Sequence, residues 1–155
     1  MAATELPRLT PNQLSKIELI ATSYQRLTGQ ALVVTPGDPI AALWSAERAV
    51  VAHGTEADPV FFFGNATALR LFEMTFEEFT RLPSRLSAEP MLRDERQRLL
   101  DRVSRDGIIG DYTGVRISAS GRRFRILNAE VWNLTGESGR AVGQAAAFSE
   151  WIPLS

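Results

Sequence analysis

Residues 53–78 read HGTEADPVFFFGNATALRLFEMTFEE, and this stretch decides the organisation of the chain. Val60 to Phe63 is an apolar run bounded by Pro59 and Gly64, too short to close a helix and suited to a buried strand. Asn65 follows as an N-cap for a helix over Ala66 to Phe72, its side-chain oxygen free to accept an orphan backbone N–H. Thr75 and Glu78 form a capping box for a second helix, and Met74 is placed to staple onto Phe79. The stretch therefore predicts a loop, a strand, an abrupt turn into one short helix, and a second short helix with its own cap.

Working outward, the N-terminal side offers a loose lead and then a helix. Leu14, Ile17, Ile20 or Ala21, Tyr24 and Leu27 recur at helical spacing from Pro11 to about Thr28, ending near Gly29. Such an apolar stripe needs a partner, either its own domain or another subunit. Residues 31–39 carry Pro36, Gly37 and Pro39 and read as a linker, Ala41 to Glu47 as a short helix, and Ala49 to Ala52 as a strand ending at His53-Gly54.

On the C-terminal side, residues 82–87 make an irregular connection. A longer helix is expected from Pro90 to Arg105, stopped by Gly107, with Leu92, Leu99 and Val103 inward. Asp94–Arg98 and Asp101–Arg105 would pair at i,i+4 on its outer side. The period then changes to two. Val115 and Ile117, a turn at Ser120-Gly121, a strand from Phe124 through Trp132, a turn at Thr135 to Gly139, and a strand from Ala141 to Phe148 form a meander. Five strands, with the helices grouped between the second and third, predict an α+β domain: one antiparallel sheet with short helices on one face.

Composition narrows the function classes. The 155 residues fit one domain, and 45% hydrophobic with 23% charged content is that of a globular chain. No apolar run approaches a membrane span, and the start of the chain lacks a signal-peptide pattern. Zero cysteines removes disulfides, thiol catalysis and thiolate metal sites. A net charge of −1 speaks against a nucleic-acid binder working by bulk electrostatics. The expected address is cytoplasmic, with no membrane and no nucleic-acid partner.

The order of elements is also that of a PAS domain, and VFFFGNATALRLFEMTFEEF looks like its second strand and following helices. Together with HGTEADPVFFFGNATALRLFE, the segments LPSRLSAEP, RDERQRLLDRV, YTGVRISASGRRFRI, VWNLTGESGR and GQAAAFS resemble the MEKHLA family over about residues 10–151. These PAS-like domains occur alone in bacteria and at the C-terminus of plant class III homeodomain–leucine zipper proteins. The chain carries no DNA-binding, zipper or lipid-binding segment of the plant kind, so a transcriptional role is not implied. The resemblance implies a sensory or interaction module without enzyme activity, and a division into a lead (1–10), an N-terminal helical segment (11–48) and the PAS-like domain (49–155). It marks His53, Asp58, Asn65, Arg85, Glu89 and Arg116 as signature polar positions, with Arg85 and Glu89 expected as a structural ion pair.

A sheet roofed by short helices leaves a hollow of the usual small-molecule kind. Its expected wall is Phe63, Leu69, Phe72, Leu86, Leu99, Val103, Ile117, Trp132 and Phe148, with Asn128 and Gln144 as polar contacts. Each of these is also an ordinary core residue by type. His53 is the only histidine, so an enzyme using imidazole would depend on it, and no serine has a nucleophile-elbow context. His53, Glu56 and Asp58 are a weak metal pattern, because Asp58 before Pro59 is a turn former. Haem is not expected, since the helices offer no histidine, and a cysteinyl-flavin adduct needs the absent cysteine, while a non-covalent flavin stays open without a residue pattern to support it. Arg116, Arg122, Arg123 and Arg125 read as a solvated edge. The expected function is a PAS-like sensory module holding a small apolar or aromatic molecule and dimerising through its N-terminal helix; the alternative is a ligand-free dimerisation or docking domain.

Overall fold

The structure, a computed structural model, describes residues 5–34, 36–88 and 93–154. Helix α1 spans Pro11–Thr28, where Thr10 and Gln13 form a reciprocal capping box and Gly29 closes the C-terminus at φ 74°. Helix α2 spans Pro39–Ser45, two residues earlier than its apolar pattern suggests. Pro39 occupies the first helical position and Asp38 caps it by accepting from Ile40 N–H at 3.0 Å, so the proline expected to end a linker starts a helix.

Strands β1 (Ala49–His53) and β2 (Phe61–Gly64) pair antiparallel, and helices α3 (Ala66–Phe72) and α4 (Phe76–Phe79) follow with the expected caps at Asn65 and Thr75. A 3-10 turn at Ser84–Ser87 occupies the irregular connection. Helix α5 runs Arg93–Asp106; Glu89, Pro90 and Leu92 lie outside the described residues. Among the described residues neither expected i,i+4 pair closes to ion-pair distance, although the charge of Asp101 still acts on Arg105. Arg105 meets the adjacent Asp106 at 3.0 Å, Asp101 accepts from Gln97 at 2.8 Å, and Arg102 reaches Asp111 at 2.6 Å.

Strands β3 (Ile108–Ile117), β4 (Arg123–Thr135) and β5 (Ala141–Phe148) form the meander, and β5 returns to pair with β1, giving the order 2-1-5-4-3. A short sixth strand, β6 (Glu150–Leu154), continues β5 along β4 after an interruption at Ser149. Opposite Ser149 stands Asn128, which takes a left-handed φ of 52°. The register of β4 against β5 and against β6 is the same on both sides of this kink.

The kink resets which residues face which side. An unbroken strand would send Ile126 and Ala129 to opposite faces, yet both line the same cavity with Val131. The other face of β4 carries Glu130, Trp132 and Leu134 towards α1: Trp132 Nε1–H donates to the Ile20 carbonyl at 3.1 Å, and Thr135 N–H donates to Ser23 Oγ at 3.1 Å. Ile17, Ile20 and Tyr24 of α1 are buried in the same core as the sheet. The middle of the α1 stripe, Ile17, Ile20 and Tyr24, is thus covered by its own chain, while Leu14 is half-buried and Leu27 stays 41% exposed.

A carboxamide holds the corner between sheet and helices. Asn65 is fully buried; its Oδ1 accepts from Val50 N–H (3.0 Å) and Ala68 N–H (3.1 Å), and its Nδ2 donates to the carbonyls of Leu43 (3.1 Å) and Arg48 (2.9 Å). Asn65→Ala is expected to cost about 3 kcal/mol or more, from the lost cap and the buried groups left unpaired. Asn65→Asp keeps the capping oxygen but turns it on two carbonyls, and is expected to lose nearly as much. Urea denaturation checks this; a fully stable Asp variant would reduce Asn65 to a simple cap.

Candidate functional site

Between the sheet and the α3–α5 layer lies an enclosed chamber of about 100 Å3. Its floor is Val51 of β1, Ala129 and Val131 of β4, and Ala146 and Phe148 of β5, while Phe72 of α3 and Leu99 of α5 close it above. Alanine at positions 129 and 146 is what leaves the space, because larger side chains there would fill it. The chamber opens into an outer cleft of about 770 Å3. Six residues line both spaces and so mark the mouth: His53, Ser84, Leu99, Tyr112, Arg116 and Gln144.

The polar groups reach the mouth from both edges of an apolar floor. His53 and Gln144 are cross-strand neighbours on β1 and β5. Tyr112 and Arg116 come from β3, four residues apart and therefore on one face. The Arg116 guanidinium lies 5.8 Å from the Tyr112 ring centroid and donates to the Tyr112 hydroxyl at 3.4 Å and to Ser87 Oγ at 3.2 Å. Ser87 is itself buried and donates to the Ser84 carbonyl at 2.7 Å, so the turn fixes where the guanidinium rests. Glycine at 114 is required by this packing, since a Cβ there would collide with the Tyr112 hydroxyl.

His53 Nδ1 lies 2.9 Å from the Gly54 carbonyl, which can only accept, so Nδ1 carries the hydrogen and Nε2 is left as the acceptor. Burial holds its pKa below the ordinary histidine value of 6.5, a shift the Gly54 carbonyl opposes and the charge of Arg116 reinforces. At neutral pH the ring is uncharged. At the far end, the hydroxyls of Ser118 and Ser120 donate to Glu73, which lowers the Glu73 pKa and ties the β3–β4 turn to the end of α3.

The chamber gathers only some of the residues that the sequence singles out. Phe72, Leu99, Gln144 and Phe148 line it, and Leu86, 53% exposed, lines the outer cleft. Phe63 packs edge-on against Trp44 and Phe76, and Leu69 is buried with them in the main core. Val103 of α5 packs beside the chamber, on the same side of the sheet, against Ile109 and Val131. Trp132 faces α1, on the opposite side of the sheet, because it alternates with Val131. Ile117 is half-buried at the end of β3, and Asn128 is exposed at the kink rather than facing a guest.

Among the polar positions, His53 and Arg116 stand at the mouth, and Asn65 is structural. Arg85 meets Asp58 at 3.1 Å, and with side chains 60% and 49% exposed this pair contributes little; the expected partner Glu89 lies outside the described residues. Arg122, Arg123 and Arg125 are exposed, whereas Arg116 leaves that cluster for the mouth. The imagined metal donors are dispersed in their contacts: Glu56 accepts from Val60 N–H at 3.3 Å, Asp58 holds Arg85, and His53 Nδ1 holds Gly54. The described residues contain no group of three metal-ligating acids or histidines. Nor is any helix of the described residues long and apolar enough to cross a membrane. Tyr112, Ser84, Ser87, Ala129 and Ala146 are site residues that sequence reasoning misses. Only the Tyr112–Arg116 spacing on one strand face hints at them.

The sheet order 2-1-5-4-3 with helices between the second and third strands defines a PAS fold. Within that fold the chain belongs to the MEKHLA domain family, whose model matches residues 14–153. Solved structures of similar fold include that titled "Flavin Analogue Sheds Light on Light-Oxygen-Voltage Domain Mechanism", at 14% identity, covering 75% of this chain and 84% of that one, TM-score 0.56. The PAS domain of a protein from Colwellia psychrerythraea matches at 14% identity over 68% of this chain and 87% of that one, TM-score 0.54. An RNA-binding light-oxygen-voltage receptor matches 94% of this chain at 16% identity and TM-score 0.58, but this chain spans 36% of it. No curated protein matches the sequence.

A flavin does not fit the chamber as the residues stand. Roughly 300 Å3 is the lower end for pockets that enclose a cofactor-sized ligand, against about 100 Å3 here, and no cysteine is present for an adduct.

The His53 shift gives a stability signature. Because its folded pKa lies below 6.5, the unfolded chain takes up a proton first as pH falls, so stability drops from about pH 6.5 down through the folded pKa. Between pH 7.5 and 5.5 the urea midpoint of the native chain should fall further than that of His53→Gln. Equal falls would place His53 in an environment no different from the open chain.

Proposed function

We propose that this chain is a PAS-like sensory module whose chamber holds a small apolar or aromatic molecule and whose output is carried by α1. The observation behind this reading is the chamber itself: an apolar hollow floored by two alanines, with polar groups from three strands converging on one mouth. Its small volume sets the guest at about one ring, since a dry cavity of roughly 150 Å3 accepts benzene. The reading is non-catalytic. His53 makes a backbone contact through Nδ1 and has no nucleophile among its described hydrogen bonds.

Output through α1 rests on alternation. Val131 and Ala146 face the chamber, while Trp132, next to Val131, donates to the Ile20 carbonyl of α1. A guest shifts α1 only to the extent that it favours one packing of these strands over another. Cytoplasmic placement and self-association belong to the same proposal; any dimer contact would use the outward side of α1.

Native mass spectrometry and a thermal-shift screen of compact apolar and aromatic molecules test the reading. A guest at about one hundred times its Kd should raise Tm by about 5–10 °C. Ala146→Leu, which puts three more carbons into the chamber, should abolish the shift while the variant remains folded. A chain that carries no guest and responds to none is a ligand-free docking domain.

A further inference from the structure

Resting on the sensory reading above, the geometry points to a class of guest: we infer that the chamber takes a monocarboxylic acid with a compact apolar body, its carboxylate on Arg116 at the mouth and its body over Ala129 and Ala146.

The first ground is the state of Arg116. Arg48, Arg85, Arg102 and Arg105 each meet a carboxylate. Arg116 is half-buried, and among the described residues its hydrogen bonds go only to the neutral hydroxyls of Ser87 and Tyr112. A half-buried guanidinium that meets no carboxylate is only partly compensated. Its fork has five donors, of which these contacts use two, so a planar carboxylate can still be received.

The second ground is that the fork is already held. Ser87 is buried and fixed to the Ser84 carbonyl, the Tyr112 ring supports the cation, and Gly114 gives the phenol its room. A donor set positioned in advance loses less on binding than a mobile surface arginine. The Tyr112 hydroxyl accepts from Arg116 and keeps its own hydrogen to donate to a carboxylate oxygen.

The third ground is the balance of charge. At the mouth His53 is neutral and offers only an acceptor at Nε2, and Gln144 is uncharged, which leaves Arg116 as the charge on the rim. Farther out, Glu95 lines the outer cleft, and Arg85 there is engaged by Asp58. A second carboxylate reaching outward would meet Glu95, so the geometry selects a monoanion. The chamber, about 100 Å3, sets the body at a single ring or a short branched chain.

The test uses the full chain with benzoate and cyclohexanecarboxylate as acids, benzamide and toluene as neutral counterparts, and inorganic phosphate, in isothermal calorimetry. Both acids should bind at least about tenfold more tightly than benzamide and toluene. Arg116→Gln should weaken the acids about 10- to 100-fold and leave benzamide unchanged. Arg116→Lys should recover part of the loss. Gly114→Ala, which displaces Tyr112 without removing the charge, should weaken the acids several-fold, and circular dichroism of each variant confirms its fold. If neutral probes bind as tightly as acids, lose binding on Ala146→Leu, and ignore Arg116→Gln, the acid assignment is overturned while the sensory reading stands. Phosphate binding as tightly as benzoate also overturns it, leaving a generic anion contact. Failure of every probe, charged and neutral, removes the chamber as a binding site and the sensory reading with it.

Discussion

Everything above the sheet depends on one buried carboxamide. Asn65 is the point where β2 ends and α3 begins, and its side chain ties together four backbone groups from α2, the entry to β1, β1 itself and α3. Only an amide supplies two acceptor positions and two donors in one plane, so no other cap satisfies all four. Its backbone joins in, since Asn65 N–H donates to the Val50 carbonyl at 3.0 Å. Thr67, two residues on, donates its hydroxyl to the Ala46 carbonyl at 2.7 Å. With that corner fixed, α3 must cross β1, and Phe72 at its end comes to rest over the floor at 5.3 Å from Phe124. The roof of the chamber is a consequence of the corner.

The floor has a different origin. A thirteen-residue strand of strict alternation could not give Ile126, Ala129 and Val131 one face. The left-handed turn of Asn128, matched by the interruption at Ser149 on the neighbouring strand, skips one residue on each and lets the pairing continue. Asparagine is among the few residues other than glycine that adopt this conformation readily. β4 thereby presents an apolar row to the helices on one side of the sheet and the row Glu130, Trp132, Leu134 to α1 on the other. The alanines at 129 and 146 then turn a packed interface into a hollow.

These two origins explain what could be read from the residues alone. Caps, capping boxes and C-terminal glycines are local chemistry, and the bounds of α1, α3 and β5 follow from them. β2 and α2 are displaced by one or two residues, because Val60 only bridges to Pro83 and Pro39 is recruited as a first helical residue. The sidedness of β4 was not legible, because it turns on the conformation of one asparagine that reads equally well as a polar strand residue. Strict alternation puts Trp132 and Asn128 on the same face as Ile126, and the turn at Asn128 removes both from it. β6 is not legible either, since Glu150 to Leu154 has no alternation and contains Pro153. Arg116 was hidden among four arginines of one neighbourhood; which of them turns inward depends on Ser87 and Tyr112, two residues remote in sequence or unremarkable in it.

The same sidedness bears on how a filled chamber would reach the rest of the molecule. α1 is held to the sheet by a few directional bonds around a small aromatic contact. Tyr24 stands edge-on to Trp132 at 5.0 Å and donates to Glu130, which also pairs with Arg48 at 2.7 Å. Burial and the Glu130 carboxylate both raise the Tyr24 pKa, so its hydroxyl stays a donor at any ordinary pH. Glu130 and Trp132 flank Val131, the residue that touches the chamber, and the peptide bonds between them are rigid. A displacement of Val131 by a guest therefore moves the partners of Tyr24 and Ile20 together. Well-packed interfaces answer such a push by adopting a second arrangement, not by deforming smoothly. In the proposed reading, α1, and not the helices over the chamber, is therefore the element that would report on a guest.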